Sequence, residues 1–152
     1  MVTADGATDK DGDAVTLSHS IVDNLENLPT DGDLYCFEGG CNDHWNGVPL
    51  GDFSPTDYTG TLDTKTMCGA LEYIFRYATT NFVGKPICFI ITHKCKFQGD
   101  INGNSFADFR DKMIGICEKY AIPYYDAWAK SGLGSWSEAQ LNNYFVNFQV
   151  KK

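Results

Sequence analysis

The run Ile87-Cys88-Phe89-Ile90-Ile91-Thr92 is apolar at every position but its last, entered through Gly84-Lys85-Pro86 and followed by polar chain. A strand with no polar alternation has to be covered on both faces, which is the pattern of an inner strand in a parallel sheet. The segments on either side fit that requirement. Residues 64–82 carry Met67, Leu71, Ile74, Phe75 and Ala78 on one helical stripe, with Asp63 or Thr64 as the expected cap. Residues 106–120 repeat the period through Phe109, Met113, Ile116 and Cys117.

Two weaker strands complete the alternation. Residues 33–38, Asp-Leu-Tyr-Cys-Phe-Glu, lie between Thr30-Asp31-Gly32 and Gly39-Gly40. Residues 122–125 are short and contain Pro123, which cannot donate to a ladder, so they predict an edge strand. Helical spacing of Leu17, Ile21, Val22, Leu25 and Leu28 predicts a helix over 16–28, and Leu141, Tyr144, Phe145 and Phe148 predict another over 137–150. Residues 1–12 are small, polar and rich in Asp and Gly, and read as a loop or frayed end. The order helix, strand, helix, strand, helix, strand implies right-handed crossovers, a parallel sheet and an α/β fold. A chain of 152 residues with 43% hydrophobic content supports one domain, 1–152.

A formal net charge of -8 disfavours a phosphate-backbone partner, which is bound by clustered Lys and Arg, so no nucleic-acid partner is expected. No apolar run reaches the roughly 20 residues that span a bilayer, and the first residues do not read as a signal peptide, so no membrane partner and a cytoplasmic location are expected. The six cysteines permit three disulfides, but several lie inside apolar runs and read as free thiols. No Cys-x-x-Cys occurs, and His93-x-Cys95 with Cys88 lacks usual zinc spacing, so neither a metal nor another cofactor is expected.

In such sheets active groups gather beyond the carboxyl ends of the strands. Here those ends are Glu38 to Asp43, Thr92 to Cys95, and Asp126. Gly39-Gly40-Cys41-Asn42-Asp43 frees the backbone to turn sharply and present the Asn42 carboxamide as a donor to a developing oxyanion. The same residues also suit a plain strand-ending turn in which Asn and Asp satisfy local backbone groups. His44 follows the turn and either lines a pocket or stands in water; His93, at the end of the central strand, either meets a ligand or is bonded to backbone. His19 reads as a helix surface residue, and residues 46–63 as a long connection that caps one end of the sheet.

Leu34-Tyr35-Cys36-Phe37-Glu38-Gly39-Gly40-Cys41-Asn42-Asp43, then Gly47-Val48-Pro49-Leu50-Gly51, then Met67-Cys68-Gly69-Ala70-Leu71, resembles in order and spacing the third block of SGNH/GDSL hydrolases and its following helix. Gly84-Lys85-Pro86-Ile87 and the stretch from Ile116 to Pro123 leading to Asp126 are similar to that family as well. The resemblance covers residues 31–133 and implies a flavodoxin-like three-layer α/β/α fold, incomplete at its amino-terminal strands. It implies a small-molecule or carbohydrate ester as substrate, a serine nucleophile, and oxyanion donors from a glycine and the asparagine that Asn42 matches. It also implies a His-Asp pair near the carboxyl terminus. Asp43 is assigned to holding the turn, with Gly40 forming it. No G-D-S block precedes Asp31, Ser18 and Ser20 lie on a predicted helix, Gly6 is the one candidate for the second block, and no D-x-x-H occurs. Two readings follow: a catalytically incomplete ester hydrolase domain, or a noncatalytic glycan- or protein-binding module on the same fold. A strand left without its neighbour also predicts a homodimer through the unpaired sheet edge, or its cover by the chain's own amino-terminal residues.

Overall fold

The computed structural model describes residues 20–94 and 103–133. Their sheet has three parallel strands, β1 (Tyr35–Gly39), β2 (Ile87–Ile91) and β3 (Tyr124–Asp126), in the order β1-β2-β3. The all-apolar segment is therefore the central strand, as its composition requires. Tyr35 pairs with Ile87 and Gly39 with Ile91 on one side, while Phe89 pairs with Tyr124 and Ile91 with Asp126 on the other.

Among the described residues five helices accompany the sheet, in chain order α1 (Ile21–Asn24), α2 (Cys41–Trp45), α3 (Met67–Asn81), α4 (Phe106–Lys119) and α5 (Ala127–Lys130). α3 and α4 are the two crossovers. Successive right-handed crossovers taken in one direction place both connecting helices on one face, and α3 and α4 pack on each other accordingly. The apolar stripe read from the sequence is the buried face of α3, since Met67, Leu71, Ile74, Phe75 and Ala78 are all buried. On α4 the buried set is Phe106, Phe109, Met113, Ile116 and Cys117. Phe89 of β2 meets Phe75 edge to face at 5.7 Å, and Tyr35 of β1 stacks on Phe82 at 3.7 Å. Period-2 alternation then turns Cys36 and Glu38 to the opposite face, where both are exposed.

The differences from the sequence reading lie at element ends. The first helix is one turn, α1, continued by a 3-10 turn Leu25–Asn27; residues 16–19 lie outside the described residues. No side chain caps it at Ser20, and the Asp23, Asn24 and Asn27 side chains favour turns over a helix interior. The cap of α3 is Thr66, whose Oγ1 accepts from the Gly69 amide at 3.2 Å, because Asp63 is engaged one turn earlier with the Lys65 amide at 3.1 Å. β3 starts two residues later than expected. Pro123 still supplies its carbonyl to the Phe89 amide at 3.0 Å, while the Ile122 amide closes the end of α4 on the Cys117 carbonyl. The predicted helix over 137–150 and His19 lie outside the described residues.

Residues 46–63, expected to cap one end of the sheet, and the residues that follow to 66 pack on the helices instead. They run along the outer groove of the α3/α4 layer, where Phe53 lies on Gly115: a Cβ there would come within 2.6 Å of the Phe53 ring. The Lys119 Nζ donates to the Asp57 carbonyl at 2.6 Å, Tyr58 Oη to the Lys119 carbonyl at 3.1 Å, and Arg76 Nη1 to the Gly60 carbonyl at 2.7 Å. The loop returns its own carbonyls to the start of α3, with Pro49 and Leu50 accepting from the Met67 and Cys68 amides at 3.0 Å.

Candidate active site at the carboxyl ends of the strands

β1 ends in a conformation that only glycine adopts freely: Gly40 has φ +91°, and a Cβ there would stand 2.6 Å from Met113 Sδ and 2.9 Å from Cε. The expected tight turn is thus a helix entry, because the chain passes from Gly40 into α2 and Asn42 sits on that helix's first turn. Asn42 is exposed, its carbonyl accepts from the Asn46 amide at 3.0 Å and from Asn46 Nδ2 at 2.8 Å, and among the described residues no hydrogen bond holds its carboxamide. A donor presented this way is available to a bound acyl group.

Its two neighbours face inward. Asp43 is fully buried, and its carbonyl accepts from the Val48 amide at 2.9 Å. His44 is only 1% exposed: its Nε2 bonds the Asn104 carbonyl at 3.2 Å, and its ring meets Phe106 and Phe109 edge to face at 5.7 and 5.3 Å. Neither the pocket-lining nor the solvated reading of His44 describes it. It ties α2 to the start of α4, an arrangement that no local signal in the sequence marks. His93 lies two residues past β2, at the mouth and half-buried.

Ser105 borders this cluster, since it follows Asn104, whose carbonyl bonds His44. The Ser105 hydroxyl, however, accepts from the Asp108 amide at 3.3 Å and donates to Asp108 Oδ2 at 2.7 Å, a capping box at the start of α4. A hydroxyl held in that cap is not aligned with a base.

Sequence reasoning located Asp126 at a strand end but missed its partner. Arg110 donates to Asp126 Oδ2 through Nε at 3.0 Å and Nη2 at 2.5 Å, while Asp126 Oδ1 caps α5 by accepting from the Ala129 amide at 3.1 Å. Burial alone would raise this carboxyl, but the Arg110 and Ala129 bonds more than offset it and hold it below the usual carboxylate range. A carboxylate engaged on both oxygens is structural. Trp128, on α5, is overlain by Lys94 Nζ at 4.1 Å and by the Arg110 guanidinium at 5.2 Å, so the mouth carries cationic groups on an aromatic floor.

A lowered carboxyl stabilises the fold above its unfolded pKa of about 3.9 and loses that contribution as pH falls through the folded value. Asp126→Asn should therefore be less sensitive to acid below roughly pH 4 than the parent chain. Urea midpoints taken from neutral pH downward check this; parallel curves for the two proteins would contradict it.

No family model matches the chain, and no curated protein matches it in sequence. Solved structures match its fold. A protein of Lactobacillus plantarum gives a TM-score of 0.74 at 23% identity, over 85% of this chain and 63% of its own. A candidate GDSL-like lipase of Bacteroides uniformis ATCC 8492 gives 0.56 at 24% identity, over 71% of this chain and 45% of its own. A possible lipase of Chitinophaga pinensis DSM 2588 gives 0.60 at 22% identity, over 72% and 48%. The chain spans less than two thirds of the length of each.

Proposed function

We propose that this chain, which has the SGNH/GDSL-like hydrolase fold, is the oxyanion-side part of an ester hydrolase acting on a small-molecule or carbohydrate ester. The observation that carries this reading is the exposed Asn42 carboxamide, set just past β1 by a glycine that no other residue replaces freely. In acyl transfer, a neutral N–H donor fixed at the position where negative charge develops lowers the barrier without reorganising. Asn42 supplies that donor. The nucleophile and its His-Asp pair come from sequence outside the matched blocks.

In a reading frame extended in both directions, Asn42→Ala should lower kcat for p-nitrophenyl acetate by about a hundredfold with little change in KM. An unchanged kcat sinks the oxyanion role. The chain by itself should hydrolyse such esters poorly, and Asn42-dependent turnover by it would overturn the incomplete-site reading.

One observation favours the noncatalytic alternative. Trp45, three residues from Asn42 on α2, is 50% exposed, and Tyr58 is exposed on the long loop. Exposed aromatics of this kind suit sugar rings. Trp45 fluorescence that responds to titrated oligosaccharides, in a frame that shows no esterase activity, would select this reading.

A further inference from the structure

Cys36 of β1 and Cys88 of β2 are register partners on neighbouring parallel strands. Adjacent strands lie about 4.8 Å apart, inside the roughly 4.4–6.8 Å range of Cα separations that a disulfide bridges. Both residues alternate with the inward-facing Phe37 and Phe89, so their side chains project from the same face of the sheet. Cys36 is exposed and Cys88 half-buried. Cys36 also lines a groove of about 480 Å³ along the open side of β1, together with Ile21, Leu28, Leu34 and Glu38. A small oxidant therefore has access to this pair.

The contrast with the other thiols is chemical as well as positional. Burial pushes Cys68 and Cys117 up to about 12, and both are enclosed in the core. They are inert while the fold is intact.

We propose that Cys36 and Cys88 form a reversible redox site, closing to a disulfide across β1 and β2 under a peroxide. Peroxide oxidises the Cys36 thiol to a sulfenic acid with release of one water. The Cys88 sulfur then attacks the sulfenic sulfur and displaces a second water. In sum, two thiols give two hydrogens and two electrons to one peroxide, and one S–S bond forms. A dithiol reverses the step by exchange. The bond joins β1 to the central strand four residues ahead of Gly40 and six ahead of Asn42. Burial, the Cys88 thiol and the Glu38 carboxylate hold Cys36 in its protonated form, so the reaction is slow at neutral pH and is followed over hours.

The test treats the full chain with hydrogen peroxide, blocks remaining thiols with iodoacetamide, and maps chymotryptic peptides by mass spectrometry, because cleavage after Phe37 separates Cys36 from Cys41. The expected product is a monomer lighter by two hydrogens, with the Cys36 and Cys88 peptides joined and the link removed by dithiothreitol. Cys36→Ser and Cys88→Ser should each abolish it. Diamide, which takes up the same two hydrogens without a sulfenic intermediate, should give the same pair. Oxidation of Cys36 to sulfinic acid without a link, a link between two copies through Cys36, or pairing of either residue with Cys41 would each overturn the assignment.

Discussion

Lys119→Met should cost about 3–5 kcal/mol of unfolding free energy, the loss expected when one partner of a buried ion pair is removed. Lys119 and Glu72 bridge α4 to α3 with side chains only 1% and 4% exposed. Tyr120 Oη donates to the same Glu72 oxygen at 3.0 Å, and the Lys119 ammonium lies 5.2 Å from the Tyr58 ring centroid and 5.1 Å from that of Tyr120. Methionine matches the alkyl stem of lysine but leaves the Glu72 carboxylate enclosed without its cation. The pair itself is not a large net source of stability, because two desolvated charges are roughly balanced by their attraction. Glu72→Leu combined with Lys119→Met should therefore recover much of the loss. Urea denaturation of the two variants decides: a single variant within about 1 kcal/mol of the parent, or a double variant no better than the single, would show that the pair is not buried in solution.

Gly40→Ala carries two independent penalties. The left-handed backbone costs a non-glycine residue about 1–2 kcal/mol, and forcing a methyl against Met113 adds about 1–3 kcal/mol. Together they should lower the melting temperature by on the order of 10 °C. Met113→Ala removes the clash but opens a cavity in the core, so the backbone penalty is read as the difference between the Gly40→Ala/Met113→Ala double variant and the Met113→Ala single variant. A Gly40→Ala protein that melts with the parent would mean that β1 ends in some other conformation than the one described, and Asn42 would lose its placement with it.

How far the sequence carried this architecture depends on which signal was local. The β2 run is apolar without interruption and the stripes of α3 and α4 keep a helical period over ten or more residues, and tertiary packing uses those patterns directly, so element type and strand order were readable. The ends of elements were not. Whether Asp63, Thr64 or Thr66 caps α3 depends on how the returning loop supplies Pro49 and Leu50 carbonyls, which no neighbouring residue encodes. Asn42 could be singled out because the glycines that permit its turn lie within three positions of it. His44 could not be read correctly: its partner carbonyl is sixty residues away, and a histidine after a polar turn ordinarily faces water. Arg110 escaped notice for the same reason, since its value lies in Asp126, on another element. Long-range polar pairs leave no periodic trace.

The loop of residues 46–66 is fixed near its middle, where Asp57, Tyr58 and Gly60 bond Lys119 and Arg76, by Phe53 seated on Gly115, and by the Pro49 and Leu50 carbonyls bonded to the start of α3. A segment braced in this way works as scaffolding, not as a hinged door. Selectivity on this flank of the molecule would then have to change by exchanging side chains on a stationary rim, and amide deuterium exchange across residues 51–63 should stay the same whether or not a ligand is present.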